Sequence, residues 1–106
     1  MTDPVSHLRA AGLLGRMFVD GEWRVPAGTE TAEVIDPATE RVVAEIALGC
    51  RADIDLAVAA ARTAFPAWAA TPPRERARYL TAIRERILQR AELFAQLISL
   101  EMGAAI

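Results

Sequence analysis

The spacing of apolar and polar positions changes twice along the chain and divides it into three stretches. Residues 1–15 mix proline, serine, glycine and small apolar side chains without a sustained period, which predicts a flexible N-terminal arm. From Met17 the pattern becomes β-like. Met17, Phe18 and Val19 precede Asp20-Gly21, and Glu22 to Val25 follow, so two short strands meet at a two-residue turn for which Gly21 supplies the positive φ. A second ribbon is predicted over Thr31–Ile35 and Arg41–Ala47, joined by Asp36-Pro37-Ala38-Thr39 with Pro37 at the second turn position. Val42, Ala44 and Ile46 share one face of its second strand.

After Cys50 the period is helical. Ile54, Ala57, Val58, Ala61, Phe65 and Trp68 recur at steps of three and four, with Pro66 expected to kink or stop the helix. Thr71-Pro72-Pro73-Arg74-Glu75 reads as a new start, with Thr71 as its cap, and Leu80, Ile83 and Ile87 as its buried stripe. A break near Arg90 separates a last run through Leu93, Phe94, Leu97 and Ile98, which Gly103 terminates. The predicted class is therefore an α+β fragment: two β-hairpins, then about three amphipathic helices. Residues 16–106 form the folded part behind the 1–15 arm. Trp23, Phe65, Trp68 and Phe94 read as core anchors.

Composition narrows the chemistry. The 106 residues are 53% hydrophobic and 25% charged with a net charge of −2, typical of one soluble globular domain or part of one. A chain of this size is expected to close one small core, burying about two thirds of its unfolded surface. The overall charge gives no footprint for nucleic acid, and no apolar run is long enough to span a membrane. All twelve basic residues are arginine, which removes Schiff-base and phosphate-loop lysines. No glycine-rich dinucleotide loop, paired-cysteine metal motif or nucleophile elbow occurs. His7, alone in the arm, reads as solvated.

Cys50, the one cysteine, excludes an internal disulfide and suits a reducing, cytoplasmic setting. At a helix start its thiol would feel the positive dipole end, which raises the idea of an activated nucleophile. The plainer reading is a substitute for serine or threonine at a cap position three before Asp53. Arg74, Arg76, Arg78, Arg84, Arg86 and Arg90 stand against Glu75 and Glu85, a solvated or acid-pairing face rather than a base-stacking one.

Six short motifs stand in order: MFVDGEW at 17–23, EVIDPAT at 33–39, DIDLAVAAA at 53–61, AFPAW at 64–68, PRERA at 73–77 and LEMG at 100–103. Their order and spacing resemble the N-terminal segment of the NAD(P)-dependent aldehyde dehydrogenase superfamily, from about Gly15 onward. The resemblance implies a parent α/β fold and oxidation of an aldehyde to a carboxylic acid or thioester, with NAD or NADP as cofactor. In that family a cysteine, a glutamate and the dinucleotide loop do the work, and all match positions beyond this sequence. Cys50 does not match that nucleophile.

The chain is thus expected to be a truncated N-terminal fragment, inactive and without cofactor when alone. Its partner would be the missing C-terminal portion of a usually homo-oligomeric enzyme. The resemblance also implies a structural monovalent-cation site from the carbonyls of Val34 and Ile35 and the acid of Glu101. Many members carry glycine where Glu40 stands. The alternative expectation is a non-catalytic hairpin-helix module that docks on a partner chain.

Overall fold

The computed structural model describes residues 3–105. Eight elements follow in order: α1 (Pro4–Ala10), β1 (Met17–Val19), β2 (Glu22–Arg24), β3 (Thr31–Ile35), β4 (Val42–Ala47), α2 (Arg51–Ala70), α3 (Pro73–Gln89) and α4 (Ala91–Met102). The strands form two separate antiparallel ribbons, β1–β2 and β3–β4. The α+β reading, with two hairpins ahead of three long helices, describes this order.

The arm contains a helix that its pattern did not predict. Asp3 caps α1: its Oδ1 accepts from the Val5 amide at 3.1 Å and its Oδ2 from the Ser6 hydroxyl at 3.0 Å. Pro4 occupies the first turn, where no amide donor is needed. The helix is only seven residues long, so local capping and the burial of Val5 stand in for a longer apolar stripe.

Turn chemistry sets both ribbons. At the first, Asp20 and Gly21 have φ of 54° and 75°, so both central positions take the left-handed conformation that matches strand twist. Val19 pairs with Glu22 and Met17 with Arg24. At the second, Asp36 folds the turn onto itself. Its carboxylate accepts from the Ala38 amide at 2.8 Å and the Thr39 hydroxyl at 3.1 Å, while the Glu40 amide donates to the Asp36 carbonyl at 2.8 Å. A register shift between Val34 and Ile35 accompanies this longer connection.

Glu40 sits at φ 58°, where a β-carbon is strained. Glu40→Gly is therefore expected to stabilise the ribbon by about 1 kcal/mol. Slower amide exchange at Asp36, whose N–H donates to the Arg41 carbonyl at 2.9 Å, would register it.

Two helix expectations are corrected. Of the kink or stop expected at Pro66, the stop is corrected: α2 continues to Ala70 with the proline inside it. Pro66 has no amide to offer the Arg62 carbonyl one turn back, and the helix resumes beyond that gap. Nor does Thr71 cap α3. Its hydroxyl donates back to the Ala67 carbonyl at 2.8 Å, and Pro72 and Pro73 begin the next helix without a side-chain cap. The break falls at Arg90 (φ −119°, ψ 20°), and Gly103 ends α4 at φ 75° with its amide on the Ser99 carbonyl at 2.8 Å, both as the pattern predicts.

The largest correction concerns the core. Among the described residues the buried apolar side chains are Val5, Val19 and Ala44, and no large side chain is fully buried. Leu80, placed by its period on a buried stripe, is 68% exposed, and Ile83 and Ile87 are also open. Phe65 is 66% exposed; Trp23, Trp68 and Phe94 are exposed too, although Phe18–Trp23 and Trp68–Tyr79 ring pairs form at 5.2 and 5.5 Å.

The accessible surface is 8388 Å², against about 5,800 Å² for a compact chain of this mass. Folding therefore hides about half of the unfolded surface, not two thirds. The radius of gyration, 16.8 Å, exceeds the ~13 Å of a compact domain this long. The helical stripes are amphipathic as read, but among the described residues they stay largely exposed, with only limited packing of α2 on β1, α1 on α4 and α3 on α4.

Candidate functional site

The most developed polar arrangement lies where the strand β4 hands over to α2. Cys50 is the residue before that helix, in an extended conformation, and Asp53 stands in its first turn. The Asp53 side chain turns back and accepts the Cys50 amide on Oδ2 at 2.8 Å, the return half of a capping box. The same carboxylate reaches the loop after β2. Its Oδ1 accepts from Ala27 N–H at 2.7 Å and its Oδ2 from Gly28 N–H at 3.0 Å. Three backbone donors thus converge on one acid, which is only 5% exposed.

The carboxylate is held at a pKa of about 2, below its ordinary 3.8, first by the Cys50 amide and then by those of Ala27 and Gly28; burial opposes the shift. A depressed folded pKa means that Asp53 stabilises the folded state fully above the unfolded value and loses that contribution as pH falls through about 2. A carbon-13 titration of this carboxyl is expected to give a midpoint near 2, with Ala27 and Gly28 amide shifts following it. A midpoint near 3.8 would show that the three-donor latch does not form.

Gly28 makes the latch geometrically feasible. A β-carbon there would stand 2.7 Å from the Leu48 carbonyl oxygen and 2.9 Å from the Cys50 nitrogen. The loop passes this close because it is also paired along its edge: Leu48 N–H donates to the Glu30 carbonyl at 2.9 Å. A shallow cleft lined by Gly28, Thr29, Glu30, Leu48 and Cys50 marks the seam.

This geometry supports the cap reading of Cys50. Its backbone carbonyl accepts from Asp53 and Ile54, and its amide donates to Asp53, so the residue serves as the helix cap. The positive end of the α2 dipole is already occupied by a carboxylate. His7, the only histidine, is exposed on α1. The thiol is half-buried and in no disulfide, and the ionisable group its side chain meets is the same Asp53 carboxylate. The backbone bonds bear out the cap role.

Val34 is half-buried and Ile35 exposed on β3, beside the register shift; Glu101 is exposed in the last turn of α4. The two regions approach through Gly103, whose added β-carbon would lie 3.1 Å from Pro37 Cγ. Among the described residues, no set of three His, Cys, Asp or Glu side chains is grouped as metal ligands. The α3 arginines find no acid at ion-pair distance, since Arg24–Glu22 at 3.4 Å is the one pair among the described residues. Also among those residues, no helix is long and apolar enough to cross a membrane.

The sequence reading missed the loop at 25–30. Its signal was present: an acid three residues after a helix cap, and a glycine in an otherwise unstructured stretch that must pass close to another backbone.

Comparison with known proteins places this architecture. The sequence model described as the aldehyde dehydrogenase family matches residues 23–106. Chloroplastic betaine aldehyde dehydrogenase of Beta vulgaris is 39% identical over 93 residues, covering 83% of this chain and 19% of that protein. The 3-succinoylsemialdehyde-pyridine dehydrogenase of a Pseudomonas species is 40% identical over 89 residues, covering 84% and 19%. Among solved structures, aldehyde dehydrogenase C of Pseudomonas syringae, a cysteine mutant complexed with NAD+ and octanal, superposes with a TM-score of 0.84 at 49% identity. That match covers 87% of this chain and 19% of the other. The chain spans about a fifth of the length of the relatives it matches.

Proposed function

The chain belongs to the aldehyde dehydrogenase family, and from that premise we propose that it serves as the N-terminal part of an NAD(P)-dependent enzyme that oxidises an aldehyde. Within that enzyme its work is structural. The two ribbons and the Asp53 latch fix where α2 begins, and α2, α3 and α4 then present their apolar stripes to the remaining four fifths of the fold. The single observation that carries this reading is the exposure of those stripes: helices with amphipathic spacing whose large apolar side chains stay mostly open to solvent among the described residues.

The surface in excess of a compact chain, roughly 2,600 Å², is on the scale of an obligate interface rather than of a passing contact. The reacting groups belong to the rest of the enzyme in this proposal: the nucleophile, the water-activating acid and the cofactor cleft. The aldehyde and the homo-oligomeric, cytoplasmic enzyme that binds it belong to the same proposal. Solved relatives hold NAD+, which favours that cofactor for the whole. The carbonyls of Val34 and Ile35 and the Glu101 carboxylate are proposed to contribute oxygen ligands to a structural monovalent cation. The approach of Gly103 to Pro37 supports this, as it brings the end of α4 to the ribbon that carries those carbonyls.

The test is a chimera. This chain replaces the matching fifth of the Pseudomonas syringae enzyme, and NADH formation from octanal is followed. Activity within about tenfold of the parent is expected, since the exchanged part touches no reacting atom. The chain by itself is expected to form no NADH. A folded, soluble chimera without activity would contradict the proposal, as would turnover by the isolated chain.

A further inference from the structure

Where α3 meets α4, a groove has an apolar floor of Tyr79, Ile83, Ile87 and Phe94, with Arg86 and Arg90 at its edge. The three floor residues of α3 recur at steps of four, so they share one side of that helix. Arg76 lies on the same side, one turn before Leu80; its Nε is buried and has no acceptor among the described residues. The acids of these helices do not answer the arginines. Glu85 lies across α3 with Arg74 and Arg78, Glu75 stands next to Arg76 without an ion pair to it, Glu92 accepts from the Gln96 amide at 2.9 Å, and Glu101 lies in the last turn of α4.

An apolar trough edged by unpaired guanidinium groups fits one kind of element. We infer that this groove receives an amphipathic helix of a partner polypeptide whose apolar ridge is flanked by carboxylates. The ridge fills the floor between α3 and α4, and the flanking acids pair with Arg86 and Arg90. A further carboxylate on the same partner meets the orphaned Arg76. Guanidinium takes such pairs in a fixed fork, which sets the register of the docked helix as well as its charge. The inference rests on the family reading only in that the partner would ordinarily be the rest of the enzyme. It adds the chemistry of the surface that docks there.

The probe is a labelled designed helix with a leucine ridge and glutamate flanks, compared with the same ridge flanked by lysine and with a glutamate-flanked helix whose ridge is serine. The chain carries a net charge of −2, so general attraction would favour the lysine peptide. The expected result is the reverse: the glutamate-flanked leucine helix binds at least about tenfold more tightly than either control. Arg86→Glu with Arg90→Glu is expected to reverse the preference, and Arg86→Gln with Arg90→Gln to abolish it, each with unchanged helical circular dichroism. Equal binding of the two leucine peptides, undiminished binding of the serine-ridge peptide, or no binding at all would overturn the inference. The chimera's activity reports separately on the family reading, so an active chimera with a charge-blind groove would sink only this proposal.

Discussion

Gly28→Val is expected to pull the 25–30 loop away from the end of β4. The first atom of the new side chain would fall 2.7 Å from the Leu48 carbonyl oxygen and 2.9 Å from the Cys50 nitrogen, and neither is a flexible group that swings aside. The backbone must separate, which breaks the Leu48–Glu30 hydrogen bond and draws Gly28 N–H off Asp53. Overpacking of this kind costs about 1–3 kcal/mol, and here it falls on two backbones at once, so about 3 kcal/mol is the figure to test. Exchange of the Leu48 amide should quicken by on the order of a hundredfold. Gly28→Ala places the same β-carbon and should show most of the effect, whereas Gly15→Ala, with open space around it, should not disturb this amide.

Asp53→Ala is expected to act on the same seam with a different signature. Three amides lose their acceptor together: Ala27, Gly28 and Cys50. A buried donor left unmatched is costly, so exchange at these positions should quicken by on the order of a hundredfold and the first turn of α2 should fray. The Leu48–Glu30 bond does not involve Asp53, and its amide should change far less. Asp53→Asn keeps one accepting oxygen but turns an NH2 toward an amide donor. It should fall between Asp53→Ala and the parent and lose the pH dependence near 2. Equal exchange at Ala27 in all three proteins would show that the acid is not what holds the loop.

Elements with a local cause were legible in the sequence. Asp20-Gly21, the Asp36 turn, the Arg90 break and Gly103 each declare themselves within four residues, because a positive φ or an orphaned amide is satisfied there by near neighbours. The latch was half legible: the Cys50 to Asp53 spacing announced a capping box, but the amides of Ala27 and Gly28 lie 25 or more residues away and have no period. Thr71 and Pro66 went the other way, since a hydroxyl can bond backward as readily as forward and one proline does not outweigh a helix that continues.

The amphipathic stripes were read correctly as stripes and incorrectly as core. Periodicity records that Leu80, Ile83, Phe65 and Trp68 are meant to face something apolar. It does not record whether that something lies in the same 106 residues. The family motifs carried that distinction: they announced a fifth of a larger fold, and the exposed faces are its physical counterpart.

Hydroxyl-radical footprinting of the isolated chain and of the Pseudomonas syringae chimera, read by mass spectrometry at Phe65, Trp68, Leu80 and Ile83, tests this most directly. If these side chains are interior surface, their labelling falls by on the order of tenfold in the chimera while that of exposed Val25 is unchanged. Equal labelling of the four residues in both proteins would mean that the rest of the enzyme does not cover them, and the structural role proposed for this chain would be wrong.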